Sequence, residues 1–224
     1  MNDITLVIPA KKEPESLPYV LMELEKLNLN FLIVLEKTDY VTINSIEKYK
    51  SKIIYQVEKG YGDAILLGIK NVKTKYFSIF NADGSFDPYE LNEMYNQIKA
   101  KSLDIIFASR YLKNASSEDD TIITFLGNKI FSLIGRFFFN LPISDILYTF
   151  VIGDTQKILS LKLKQKDFTL CVELPIKAEK NSLKISDIPS NEKSRIGGKK
   201  KVNEFKDGFL ILIHMIKLFL INEK

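Results

Sequence analysis

Several residue types are rare in this chain of 224 residues, and their scarcity excludes some classes of protein. The chain has one cysteine, Cys171, and no tryptophan. A single cysteine excludes a framework of internal disulfide bonds, so a reducing compartment such as the cytoplasm is expected. The N-terminus lacks a basic segment followed by an apolar run, so no secretory signal peptide is predicted.

Unbroken apolar runs of the roughly 20 residues that a membrane-spanning helix needs are also missing. The apolar segment Ile122 to Phe139 is interrupted by basic residues, and Phe209 to Ile221 is shorter. Neither segment is predicted to span a bilayer. Residues 203–224 are predicted to form a closing helix, which either packs on the sheet or lies in a membrane interface with lysines such as Lys224 facing anionic headgroups.

The charge balance is mildly basic, with a formal net charge of +4 at pH 7. This value does not indicate nucleic acid, and no such partner is predicted, although it suits anionic small substrates or a membrane surface. The apolar fraction of 46% is ordinary for a globular protein with a core. The length suits one domain.

Apolar runs alternate with helical patterns through the first half of the chain. This order predicts an α/β fold with a mainly parallel central sheet flanked by crossover helices. The predicted strands are 4–8, 31–35, 53–57, 76–80, 104–109, 150–152 and 183–188. We predict one domain over residues 1–202.

Three polar clusters follow predicted strands at the point where each strand ends. They are Pro9-Ala10-Lys11-Lys12-Glu13, Glu36-Lys37-Thr38-Asp39 and Asn81-Ala82-Asp83-Gly84-Ser85. Ligands of open parallel sheets bind outside the carboxyl ends of the strands, so the three clusters are predicted to form one rim.

The third cluster has the composition of a metal site. A divalent cation that bridges the phosphates of a sugar nucleotide prefers one or two carboxylates plus substrate oxygens and water. Asp83 would be the anionic ligand, Asn81 would offer a neutral oxygen, and Ser85 a further oxygen. The alternative is a simple turn, since Asn, Asp, Gly and Ser are common turn residues.

Seven segments, in the same order, resemble the motifs of one enzyme family. They are Val7 to Glu13, Gly60-Tyr61-Gly62 through Ile69, Asn81 to Ser85, Ala108 to Tyr111, Asp145 to Phe150, Glu173 to Ile176 and Arg195 to Lys201. The chain resembles glycosyltransferase family two, and most of all its dolichol-phosphate-mannose-synthase-like branch. The resemblance covers nearly the whole length, and it implies a nucleotide-binding half at 1–111 and an acceptor half at 112–202.

The resemblance implies a GT-A fold and an inverting transfer of a sugar from a GDP- or UDP-linked donor. It implies Mg²⁺ or Mn²⁺ as cofactor, and a polyprenyl phosphate or a cell-envelope glycan precursor as acceptor. The nucleotide sugar would contact a set of residues from the motifs and strand ends: Pro9, Ala10, Lys11, Glu13, Glu36, Gly62, Asn81, Ala82 and Asp83. The chain departs from the family at Asn81, where the family has Asp, and after the second strand.

Charged residues of the second half are predicted to act on the phosphates and the acceptor. Arg110 could clamp an acceptor or a phosphate through bidentate hydrogen bonds. Arg195 and Lys201 belong to a cationic loop that could close over the diphosphate. Glu173 is the first candidate general base for a hydroxyl acceptor and Asp145 the second, although both could be structural carboxylates.

Two other classes of function remain open at this point. A sugar-phosphate nucleotidyltransferase would need a glycine-rich loop after the first strand, and Ala10 to Pro14 contains no glycine. A non-catalytic sugar-nucleotide-binding protein is compatible with Asn81 in the metal motif. The prediction is therefore a cytoplasmic glycosyltransferase, either free or peripheral on the cytoplasmic face of a membrane, with these two alternatives.

Overall fold

The computed structural model describes residues 1–47, 49 and 52–221. The strands are β1 (Ile4–Pro9), β2 (Asn30–Glu36), β3 (Lys52–Gln56), β4 (Tyr76–Ile79), β5 (Ile105–Ser109), β6 (Ser116–Ser117), β7 (Val151–Asp154), β8 (Ile185–Pro189) and β9 (Asn191–Glu192). The helices are α1 (Leu17–Lys26), α2 (Tyr40–Ser45), α3 (Tyr61–Asn71), α4 (Glu90–Ala100), α5 (Ile122–Phe139), α6 (Thr155–Ser160), α7 (Leu170–Lys180) and α8 (Glu204–Leu220).

Seven strands form one mixed sheet in the order β3-β2-β1-β4-β7-β5-β8, and β6 pairs with β9 in a separate ribbon. All neighbours in the large sheet are parallel except β7, which is antiparallel to both β4 and β5. On one side of β1 lie β2 and then β3, and on its other side lies β4. This reversal opens a crevice at the carboxyl ends of β1 and β4, where ligands bind in such sheets.

Successive side chains of each strand point to opposite faces of the sheet, so a hydrophobic core forms on each face. In β1, Ile4, Leu6 and Ile8 join the core formed with α1 and α4. Val7 points to the opposite face and joins the core formed with α3, α5, α7 and α8. Helix α3 packs closely on β1, because a Cβ at Gly68 would lie 2.2 Å from Cγ1 of Val7. Both faces of the parallel strands are therefore covered.

Helices α5 and α8 lie side by side against the second of these cores. Helix α5 begins with a capping box between Thr121 and Thr124 and ends at Asn140, whose φ of 55° is left-handed. Aromatic contacts join the two helices, with the ring centroids of Phe138 and Phe219 5.6 Å apart. Helix α5 is the one described helix that is long and apolar enough to cross a membrane by length and composition, and only 17% of it is buried.

The ends of the predicted strands and long helices differ from the observed ends by no more than about one helical turn. The prediction did not anticipate the antiparallel direction of β7 or the ribbon of β6 and β9. Helix α7 begins earlier than predicted, at Leu170, and includes Pro175. Part of the helix predicted over 43–49, and residues 222–224 with Lys224, lie outside the described residues.

Candidate active site

A cavity of about 580 Å³ opens at the carboxyl ends of β1 and β4. The ends of the central strands, the first turns of α5, the segment after β9 and the start of α8 line it. A recess of about 440 Å³ adjoins it and shares Lys11, Lys12, Glu13 and Glu36 with it. The structure thus brings the three polar strand-end clusters onto one rim.

The segment after β4 presents Asn81 and Asp83 to this cavity. Oδ1 of Asp83 accepts hydrogen bonds from the backbone N of Ser85 at 3.0 Å and from its Oγ at 2.7 Å. Gly84 between them has a φ of 82°, a left-handed conformation that favours glycine. Oδ1 of Asn81 accepts from the hydroxyl of Tyr61 at 3.2 Å. The turn therefore holds both side-chain oxygens in fixed directions.

Tyr61 belongs to the Gly60-Tyr61-Gly62 motif and also contacts Thr149, with 2.7 Å between their hydroxyl oxygens. Burial raises the pKa of Tyr61 well above its usual range, so its hydroxyl stays protonated and donates to Asn81. The ring of Phe168 stacks on it, with centroids 5.0 Å apart.

The cationic loop after β9 folds over the acidic groups of the rim. Nη2 of Arg195 lies 2.7 Å from Oδ2 of Asp83 and 3.9 Å from Oε1 of Glu13. Nζ of Lys201 lies 2.9 Å from the same Glu13 oxygen. The backbone N of Ile196 donates to the carbonyl of Asp83 at 2.9 Å. The structure therefore brings together four of the predicted site residues.

Within the described chain, Nε and Nη1 of Arg195 are buried and have no hydrogen-bond partner. Buried guanidinium donors are normally satisfied, so these two donors indicate a place for an anion. No group of three or more His, Cys, Asp or Glu side chains able to hold a metal exists among the described residues. Asp83, Asn81 and Ser85 fit a hard cation that takes its other ligands from phosphate and water.

The first two strand-end clusters interlock at the edge of the cavity. Glu13 is buried and accepts from Oγ of Ser16 at 2.9 Å. Nζ of Lys11 lies 2.8 Å from Oε1 of Glu36. Lys12 has a φ of 53°, and its backbone N donates to Oδ2 of Asp39 at 2.6 Å. Pro9, Ala10 and Ala82 line the cavity beside these groups.

Arg110 lines the opposite end of the cavity and is surrounded by carboxylates. It donates to Asp145 through Nε at 2.7 Å and Nη2 at 3.0 Å. Its Nη1 lies 3.2 Å from Glu192 and 3.6 Å from Asp120. The guanidinium also lies over the ring of Tyr148, 4.6 Å from its centroid. One cation thus faces three carboxylates at this end.

Glu192 and Asp120 line the cavity, whereas Asp145 is fully buried behind Arg110. Burial raises the pKa of Glu192, although the charge of Arg110 opposes the shift. A carboxylate of raised pKa that faces a cavity can accept a proton during a reaction. Asp145 has both oxygens committed to Arg110, so the structure gives it a positioning role and corrects its prediction as a base.

Glu173 lies outside the cavity, which corrects its prediction as the first candidate base. It is 1% exposed in α7, and its carboxylate accepts from the backbone N of Lys164 and of Gln165 at 2.9–3.1 Å. Nζ of Lys177 lies 3.0 Å from Oε1. Glu173 therefore holds the chain segment before α7 in place.

The prediction that Gly62 contacts the nucleotide is also wrong. A Cβ there would lie 2.5 Å from the carbonyl oxygen of Gln165 and 2.7 Å from that of Asp167. The absent side chain lets this backbone pack on the start of α3, and Gly62 does not line the cavity. Gly60, which does line it, meets the same segment.

Several cavity residues were missed by the sequence analysis, chiefly Tyr61, Asp120, Thr149 and Glu192. Glu192 follows β8 at a carboxyl strand end, so the rule that located the first three clusters could have found it. Tyr61 stands inside a recognised motif but was not singled out. Nothing in the local pattern marks Thr149, which reaches the cavity through the bend before β7.

Solved structures share this arrangement of strands and helices. A glucosyl-3-phosphoglycerate synthase from Mycobacterium tuberculosis, crystallised with Mg²⁺ and UDP, superposes with a TM-score of 0.76 at 11% identity, covering 99% of this chain and 80% of that one. A crystal form of it with Mn²⁺, UDP and phosphoglyceric acid gives 0.73 at 12% identity, with 97% and 77% covered. The fold is therefore the GT-A fold, as predicted.

Sequence comparison assigns the family. The profile of Glycosyl transferase family 2 matches residues 5–158, more than half of the chain. The chain belongs to glycosyltransferase family 2 and is a glycosyltransferase, which confirms the prediction from the ordered motifs.

Curated relatives agree with this assignment. An uncharacterized glycosyltransferase of Mycobacterium tuberculosis H37Rv is 23% identical over 210 residues, covering 94% of each chain. A dolichol-phosphate mannosyltransferase of Pyrococcus furiosus is 25% identical over 228 residues, covering 96% of this chain and 63% of that protein. The second relative carries the name of the branch that the motifs resemble.

Proposed function

We propose that this protein transfers a sugar from a nucleotide-diphosphate sugar to a polyprenyl phosphate, with inversion at the anomeric carbon. The observation that carries the proposal is the meeting of Asp83, Arg195, Glu13 and Lys201 at the 580 Å³ cavity. A carboxylate for a metal and two cations for phosphates are what a departing nucleoside diphosphate requires.

The donor diphosphate would bind against the turn after β4. Asp83 would hold a divalent cation together with the phosphates, with Asn81 and Ser85 as neutral oxygen donors. The cation, Mg²⁺ or Mn²⁺, would neutralise negative charge on the leaving diphosphate. Crystals of the structurally similar synthase contain either metal together with UDP, which supports this reading and favours a UDP-linked over a GDP-linked donor.

The cationic loop would complete the diphosphate site. Nε and Nη1 of Arg195 have no partners among the described residues and are free to donate to phosphate oxygens. Binding of the metal to Asp83 would release Nη2 as a further donor. Lys201, paired with Glu13 at the rim, would add a second positive charge beside the same phosphates.

A polyprenyl phosphate would react without a general base, because its phosphate oxygen is already an anionic nucleophile. This oxygen would attack the anomeric carbon while the bond to the donor diphosphate breaks, and the electron pair would leave with the nucleotide. The cavity reaches Thr124 and Asn128 of α5 and Ile211 of α8, two helices with apolar outer faces. The relative named dolichol-phosphate mannosyltransferase supports this acceptor. Because a polyprenyl chain resides in a lipid bilayer, we propose a site of action at the cytoplasmic face of a membrane.

The carboxylates around Arg110 favour a second candidate acceptor, a hydroxyl of a glycan precursor. One guanidinium among Asp120, Asp145 and Glu192 leaves this end of the cavity acidic, which disfavours a phosphate. A hydroxyl needs a base, and Glu192 lines the cavity and has a raised pKa, as that role requires.

Transfer of radiolabelled sugar distinguishes these acceptors. UDP- and GDP-linked sugars are supplied with Mn²⁺ or Mg²⁺, and with either polyprenyl phosphate or a glycan acceptor. Asp83→Asn should lower the transfer rate at least about 100-fold. Asp87→Asn is the matched control, because Asp87 pairs with Lys193 and does not line the cavity. The absence of transfer from all common donors would contradict the proposal.

The same transfer assay tests the amide of Asn81 at the metal site. Gain of transfer in Asn81→Asp would indicate an enzyme whose metal site is weakened by the amide.

A further inference from the structure

Tyr61 is held at the start of α3 through both its ring and its backbone. The ring stacks on that of Phe168, with centroids 5.0 Å apart and an interplanar angle of 23°. The glycines on either side, Gly60 and Gly62, pack against the segment 165–167, because a Cβ on them would lie 2.0 and 2.5 Å from backbone carbonyl oxygens of that segment. The hydroxyl of Tyr61 is therefore fixed at the cavity, beside the turn after β4.

This hydroxyl contacts two side chains, and the atoms decide the direction of both hydrogen bonds. Oδ1 of Asn81 lies 3.2 Å away and can only accept. The single hydroxyl proton of Tyr61 is therefore donated to Asn81. The hydroxyl of Thr149, whose oxygen lies 2.7 Å from that of Tyr61, must then donate to Tyr61. The hydrogen bonds thus run from Thr149 to Tyr61 and from Tyr61 to Asn81.

The side-chain amide of asparagine has two ends of similar size and opposite chemistry. Its oxygen can ligate a hard cation, whereas its NH₂ group can only donate hydrogen bonds. Oδ1 of Asn81 accepts from Tyr61 through one lone pair, which leaves the second lone pair for a cation bound to Asp83. Without the hydroxyl of Tyr61 the amide could rotate and turn its NH₂ group toward the cation.

We propose that Tyr61 is a positioning residue that holds the amide of Asn81 with its oxygen available to the divalent cation. The inference rests on the proposed function, in which that cation serves the donor diphosphate. A carboxylate presents oxygen whichever way it rotates, but an amide needs a donor that holds its oxygen in place. Hydrogen-bond partners of this kind typically contribute about 10- to 100-fold to metal affinity.

A double-substitution cycle on Mn²⁺ affinity tests this role. Mn²⁺ is titrated calorimetrically into the full-length protein with UDP and, in parallel, with GDP. Tyr61→Phe keeps the ring that stacks on Phe168 and should weaken Mn²⁺ binding about tenfold. In the Asn81→Asp background the same change should weaken it less than about threefold, because both ends of a carboxylate are oxygens. A purely structural role of Tyr61 would not give this rescue.

The side-chain amide of Asn81 gives a second readout that needs no metal. In protein labelled with ¹⁵N on asparagine, its NH₂ signal is the one that Asn81→Asp removes. This group should be rigid on the ps–ns timescale in the unaltered protein and mobile in Tyr61→Phe. Tyr95→Phe is the matched control for both readouts, because Tyr95 donates to Asp3 and does not line the cavity.

Three outcomes would overturn the inference and leave the proposed function standing. One is an Mn²⁺ affinity that Tyr61→Phe leaves unchanged. Another is an equal loss of affinity with and without Asn81→Asp, which would show that the phenol does not act through the amide. The third is an Asn81 amide that is equally mobile with and without the Tyr61 hydroxyl. Absence of Mn²⁺ binding with either nucleotide would instead overturn the proposed metal site together with this inference.

Discussion

The pairing of Arg195 with Asp83 predicts competition between this arginine and a divalent cation. Both side chains are 17% exposed, and their Nη2 and Oδ2 atoms are 2.7 Å apart. A hydrogen bond between charged groups of this burial contributes about 1.5–3 kcal/mol. A metal that binds Asp83 must first replace that bond. Arg195→Met should therefore raise the affinity of the ligand-free protein for Mn²⁺ roughly 10- to 150-fold.

Calorimetric titration of Mn²⁺ into the ligand-free protein measures this effect. Lys193→Met is the matched control, because Lys193 belongs to the same loop but pairs with Asp87 outside the cavity, at 2.9 Å. In the presence of UDP the increase in Mn²⁺ affinity should be smaller, because Arg195 then also donates hydrogen bonds to the diphosphate. An Mn²⁺ affinity that is unchanged in Arg195→Met, or reduced as in Asp83→Ala, would refute the reasoning.

Three further predictions concern the rest of the site. Asp145→Asn should lower the free energy of unfolding by about 3 kcal/mol in urea titrations, because it removes a buried charge partner of Arg110; an unchanged midpoint would contradict this. Gly62→Ala should cost about 2–3 kcal/mol in the same assay, since its Cβ would lie 2.5 Å from the carbonyl oxygen of Gln165. With a hydroxyl acceptor, kcat should fall as pH is lowered through the raised pKa of Glu192, and Glu192→Gln should remove that dependence and lower kcat about 100-fold. A wild-type pH profile in the variant would assign the base elsewhere.

Much of the fold could be predicted because its signals are local. Buried strands such as Ile4–Pro9 are continuous apolar runs, and α5 repeats apolar residues with a helical period from Ile122 to Phe139. The direction of β7 depends instead on where a distant segment inserts between β4 and β5. The ribbon of β6 and β9 joins residues about 75 positions apart, and two-residue strands have no periodicity to detect.

The candidate site also has one part that could be predicted from the sequence and one part that could not. The rim of strand-end clusters followed from the rule for parallel sheets, which places Glu13 and Asp83 near one another without any contact being known. The roles of Glu173 and Asp145 could not be predicted. Glu173 is enclosed by the backbone before α7, and Asp145 by Arg110, a partner 35 positions away in sequence. A local sequence pattern does not distinguish an acidic residue that faces solvent from one that faces substrate or a buried partner.

The short ribbon of β6 and β9 joins the loop of Arg195 to the acidic segment beside Arg110. The backbone N of Ser194 donates to Glu118 at 3.0 Å, and Nζ of Lys200 lies 3.2 Å from Asp119. If donor binding separates Arg195 from Asp83, these contacts would couple the loop to the acceptor side. We therefore expect the two substrates to bind in compulsory order, donor first, and product inhibition by the free nucleotide to be competitive toward the donor alone.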